Sequence, residues 1–222
     1  VHILIEKRID MDRVRKIINA SKAHEKGYYG EGIGIAVLDT GIFLHPDFEH
    51  RVAYFLDYIR GKNSPYDDNG HGTHIAGIIG GDGKVSDGKY MGIAPRCHFI
   101  VLKILDKKGN GNTENVVQAI EWLVQHKKAY QIRIVNISIG MVLQAESKER
   151  IRLLQSVEYA WDNDLVVVAA AGNNGPGKSS ITVPGICRKI ITVGCFDDTQ
   201  EQIGRSMLKP NYSGQGPTEH CV

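Results

Sequence analysis

No stretch of this 222-residue chain approaches the roughly 18 consecutive apolar residues of a membrane-spanning helix, so no membrane partner is expected. An excess of charge is also missing. The chain has 27 Lys and Arg against 25 Asp and Glu, a net +2. The nearest basic clusters, Lys7-Arg8 and Lys127-Lys128, are too short to form the stripe that holds a phosphate backbone, which argues against nucleic acid. There is no HExxH metalloprotease motif, no CxxC pair, no internal repeat and no low-complexity linker. The four cysteines (Cys97, Cys187, Cys195, Cys221) are too few for a disulfide scaffold, and two lie beside apolar runs, where buried thiols are the plain expectation. That leans towards a cytoplasmic location, with secretion as the alternative, because Val1 is not an initiator methionine and a leader could have been removed.

What the chain does have is an alternation of apolar strands and amphipathic helices. Ile33 to Leu38 is a continuous apolar run of the kind buried on both faces, and Phe99–Ile104, Ile132–Ile137, Leu165–Ala170 and Ile190–Val193 repeat it. Helices are expected over Asp10–Lys26, with Met11, Val14, Ile17 and Ile18 on one face, and over His71–Ile79, where Gly72, Ala76 and Gly77 allow close approach to a sheet. Two more fall at Asn115–His126, capped by Asn112 or Thr113, and at Ser147–Trp161, capped by Ser147, with Ile151, Leu154, Val157 and Trp161 inward. The pattern predicts an α/β fold of three layers, a mostly parallel sheet with helices on both faces.

Ligands of such sheets bind at the carboxyl ends of the strands. Asp39 ends the first run and can be a screened carboxylate or an ordinary turn aspartate. His71 opens a helix and could meet Asp39 there, giving an imidazole with a fixed tautomer and a stabilised imidazolium, as a general base requires. A metal shared by His71 and His74 is the rival reading, and a structural place inside the helix is the expectation for His74. Asn173, after Ala170-Ala171-Gly172, can donate to a developing oxyanion or simply form a turn. The glycines Gly30, Gly32 and Gly34 precede their strand, which is the wrong order for a dinucleotide fingerprint.

Three segments together resemble the subtilisin-like serine protease family: Ala36-Val37-Leu38-Asp39-Thr40-Gly41, His71-Gly72-Thr73-His74-Ile75-Ala76-Gly77 and Ala169-Ala170-Ala171-Gly172-Asn173. The resemblance runs from about residue 30 to the end and implies a serine endopeptidase acting on extended polypeptides, with no cofactor required for the chemistry. It implies Asp39 as orienting carboxylate, His71 as general base and Asn173 as oxyanion donor. Ser138-Ile139-Gly140 would align the substrate, Gly109-Asn110-Gly111 would flank it, and Ala170, Ala171 and Gly172 would form the second wall of a roomy pocket.

One part of the family pattern is missing. The nucleophile belongs to a Gly-Thr-Ser motif, yet Ser179, Ser180, Ser206 and Ser213, the serines after Asn173, do not follow Gly-Thr. The expectation is therefore residues 1–29 as a lead-in and 30–222 as a peptidase domain incomplete at its C-terminus. The serine would lie beyond residue 222, and these residues alone would be inactive. A missing C-terminal segment is then a partner, and a non-catalytic peptide-binding module is the alternative. A structural calcium is a further expectation for the 80–88 loop through Asp82 and Asp87.

Overall fold

A computed structural model describes residues 11–195 and 212–219. The element order is α1 (Met11–Ile17), α2 (Ala20–Glu25), β1 (Gly34–Asp39), β2 (Val52–Asp57), α3 (His71–Gly80), β3 (His98–Lys103), α4 (Thr113–His126), β4 (Ile132–Ile137), α5 (Lys148–Asp162), β5 (Val166–Ala170) and β6 (Ile191–Val193). The strands form one sheet in the order β2-β3-β1-β4-β5-β6, and every pair is parallel.

Strand β1 shows why its sequence is apolar throughout. Side chains alternate between faces along a strand. Ala36 and Leu38 join a core with Ile120, Leu123, Leu153 and Val157 of α4 and α5, while Ile35 and Val37 join a second core with Phe48, Ala76 and Phe99 beside α3. Both faces are covered, so no polar position is tolerated before Asp39. The chain runs outward from β1 to β2 and β3, then crosses to β4 on the other side. Strand order therefore reverses at β1, and Asp39 stands at that switch point.

The caps behave as their chemistry requires: Asn112 accepts from Asn115 N–H at 2.8 Å and Ser147 from Arg150 N–H at 3.2 Å. Other expectations are corrected. The 10–26 helix is broken at Asn19, which is left-handed at φ 56°, and Asp10 lies outside the described residues. Its buried residues are Arg15, whose guanidinium reaches the carbonyls of Gly88 and Met91, and Ala20, while Ile17 and Ile18 are each 54% exposed. In α5, Ile151 faces out and Leu153, Val157 and Ala160 face in. The close approach of α3 uses Gly80 instead of Gly77: a Cβ at Gly80 would sit 2.6 Å from Cys97 Sγ, whereas one at Gly77 would meet nothing. His74 lies within α3 and is exposed. Among the described residues β6 is an edge strand and is exposed instead of buried on both faces, and β2 at the opposite edge carries only a half-buried alternation that apolar runs do not reveal.

Candidate active site

Asp39 is fully buried at the end of β1. Its Oδ1 accepts the Thr40 N–H at 2.7 Å, and His71 Nδ1 lies 2.8 and 2.9 Å from its two oxygens. A carboxylate can only accept, so Nδ1 carries the proton and Nε2 keeps the lone pair. Burial pushes the Asp39 carboxyl above its ordinary range, while the bonds from His71 and the Thr40 N–H oppose that push. The imidazole itself is about half exposed, with a side-chain exposure of 47%.

Two glycines let the strand end and the helix start meet. A Cβ at Gly72 would lie 2.3 Å from Gly41 O, and one at Gly41 would lie 2.1 Å from Tyr66 O. The Thr40 hydroxyl bridges them: it receives the Gly72 N–H and donates to Asp67 Oδ1, each at 2.9 Å. Asp67 also accepts from the N–H groups of Asn69, Gly70 and Thr73 and from the Thr73 hydroxyl, so it serves as the anionic cap that Gly70 lacks. Partial burial raises its pKa, but these donors outweigh burial and hold it at about 2.

A folded-state pKa below the unfolded value means that Asp67 stabilises the fold above about pH 4, and this contribution is lost as pH falls towards 2. Asp67→Asn is expected to lower stability at pH 7 by about 1–2 kcal/mol, allowing for solvent screening, and to lose less than the parent protein between pH 4 and 2. Urea unfolding at both ends of that window measures the effect, and equal acid losses in the two proteins would count against it.

Beside His71 runs an open groove of about 470 Å³, lined by His71, Gly109, Asn110 and Gly111 on one side and by Ser138, Ile139 and Gly140 on the other. Thr40, Asn69, Leu105 and Met141 also line it. Leu105 falls in the 103–106 strand end and Thr40 follows Asp39, both places where topology points to a site, whereas Asn69 and Met141 carry no such signal. Asp106 shapes the near wall by accepting the Lys108 and Asn110 N–H groups at 2.8 and 2.9 Å.

Ala170, Ala171, Gly172 and Asn173 do not line this groove. Gly172 backs onto Gly140, and between them stands buried Thr182, which a Cβ on Gly140 or Gly172 would meet at 2.1 or 2.2 Å. Thr182 thus fills the space between these two glycines. The signal was out of reach because Thr182 arrives from a loop, bonding through its N–H to Ala171 O at 3.0 Å. Asn173 is exposed just beyond β5.

In the 80–88 loop Asp82 Oδ1 takes the Lys84 N–H and Gly88 O accepts from Arg15. No group of three or more His, Cys, Asp or Glu side chains converges on a metal position among the described residues, His71 and His74 included.

A parallel α/β sheet with a carboxylate–histidine pair at its switch point, opening on a groove, defines an acid–base site. The chain belongs to the subtilase family, whose sequence model matches residues 30–222. It is similar to serine protease AprX of Bacillus subtilis (strain 168), 39% identical over 193 residues that make up 85% of this chain and 44% of AprX. Subtilisin Savinase of Lederbergia lenta is 34% identical over 185 residues, 83% of this chain and 63% of the relative. Among solved structures, Sphericase superposes with a TM-score of 0.68 at 30% identity, covering 85% of this chain and 64% of that one. The chain thus spans less than two thirds of each of these proteins.

Proposed function

We propose that this chain is the acid–base and substrate-binding part of a serine endopeptidase, with residues 1–29 as lead-in, 30–222 as the peptidase domain and the attacking serine supplied from beyond Val222. The observation that carries this reading is the Asp39–His71 pair, whose Nε2 is left to the groove between 109–111 and 138–140. An extended polypeptide would lie between 109–111 and 138–140, pairing with backbone on either side. The serine hydroxyl gives its proton to His71 Nε2 as its oxygen bonds to the scissile carbonyl carbon. Asp39 stabilises the imidazolium, and Asn173 donates to the oxyanion. Collapse breaks the C–N bond, the proton passes from His71 to the leaving amine, and water then hydrolyses the acyl-enzyme through the same base. No cofactor takes part.

Three serines at the groove or after Asn173 have hydroxyls engaged with other groups, which suits a nucleophile from outside the described residues. Ser138 accepts from Asn136, Ser180 donates to Gly177 O, and Ser213 accepts from Cys195 N–H.

No helix among the described residues is long and apolar enough to cross a membrane. The cytoplasmic expectation rested on thiols that do not discriminate: Cys97 and Cys187 are buried, and burial pushes Cys97 up to about 11, so both are inert in either compartment. We infer secretion, which also suits the relatives named as alkaline proteases.

Labelling with a fluorophosphonate, read by intact mass, tests the proposal. The longer protein should take one adduct, lost in His71→Ala, and the 222 residues alone should take none. An unlabelled longer protein that still binds peptide would instead establish a binding module.

A further inference from the structure

Lys103 is 1% exposed, and nothing in the proposed chemistry uses it. A buried ammonium needs an acceptor for each of its N–H groups. Lys103 has all three: the carbonyl of Thr40, the carbonyl of Leu105 at 2.8 Å and Asp68 Oδ1 at 2.8 Å. Each acceptor belongs to a different part of the site. Thr40 follows Asp39, Leu105 lines the groove, and Asp68 lies in the loop that delivers His71. In the sheet, Lys103 of β3 is the register partner of Asp39 on β1 and of Asp57 on β2.

We propose that Lys103 is a positioning residue whose ammonium ties the end of β1, the groove wall and the His71 loop into one unit, holding the His71–Asp39 geometry. The proposal rests on the acid–base reading of that pair. A lysine head is a compact point charge whose three donors can diverge, and here they reach three chain segments. Hydrophobic contact could bring the same segments together, but would not orient the Thr40 carbonyl next to a buried carboxylate.

The charged and titratable groups around Lys103 come from every neighbouring element. They are Asp39 from β1, Asp57 from β2 with the Tyr66 hydroxyl upon it, Asp68 with Arg60 at 3.7 Å, and Asp106 beyond β3. Asp67 and His71 complete the set through Thr40 and Asp39. The Tyr66 ring lies 5.1 Å from Nζ.

The test compares Lys103→Met, Lys103→Arg and Asp68→Asn with His71→Ala, all in the longer, serine-bearing protein. Lys103→Met is expected to lower kcat by about 10- to 100-fold with a much smaller change in KM. The acid limb of the kcat/KM profile should move to higher pH, because losing a cation beside an unmatched Asp68 favours the imidazolium. Lys103→Arg restores the charge without the three-point geometry, so its acid limb should return while kcat stays low. Asp68→Asn keeps two anchors, and it should lower kcat less and move the limb the other way.

If Lys103→Met does not fold, the Arg and Asn variants decide. Variants that shift only the melting temperature, with kcat and the acid limb as in the parent, would overturn the positioning role. Full activity in His71→Ala would instead overturn the acid–base reading beneath it.

Discussion

Replacing Asp39 by Asn in the serine-bearing protein is expected to lower kcat about 10⁴-fold, the scale found when the orienting carboxylate of such a pair becomes an amide. The cause is tautomeric. The amide oxygen can still accept the Thr40 N–H, as Oδ1 does now at 2.7 Å, which leaves an NH₂ group facing His71. The ring must then present a lone pair at Nδ1 and carry its proton on Nε2, where the attacking serine needs a base. Full burial of Asp39 strengthens the effect, because no water can replace the lost acceptor. A kcat within tenfold of the parent protein's, measured on a peptide substrate near neutral pH, would remove Asp39 from this role.

Asn173→Ala should cost about 10²–10³-fold in kcat with KM nearly unchanged, the magnitude known for the side-chain oxyanion donor of subtilisin itself. A donor that engages only the tetrahedral oxygen acts on the transition state and leaves ground-state binding alone. Asn173 is exposed at the end of β5, so its loss should barely move the melting temperature, and a fall in kcat can be read as chemistry. A raised KM at constant kcat would make Asn173 a substrate contact instead.

The local features of this protein were legible because their causes are local. A run without polar residues from Ile35 to Leu38 requires cover on both faces, and the polar residue that follows, Asp39, has to stand at the strand's end. Asn112 and Ser147 cap their helices through bonds that span three residues. The glycines of the Asp39 and His71 segments mark a close backbone approach, and both motifs carry it. For α5 the periodicity was visible but its phase was not, because the spacing of apolar residues leaves open which stripe meets the core. Arg15 and Ile17 show the same ambiguity, resolved by the Gly88 and Met91 carbonyls more than seventy residues away.

By itself, then, the sequence determined the parallel α/β architecture, the strand-end aspartate, the helix-start histidine and the family to which they belong. The tertiary structure decided what stands behind and between them. Thr182 closes the gap between Gly140 and Gly172, Met141 and Asn69 join the groove, and Lys103 ties Thr40 to Asp68 across separations of 63 and 35 residues. The reason is physical. A buried ammonium or a wedged threonine is defined by the acceptors and walls that other segments bring to it, and no periodicity within its own segment encodes them.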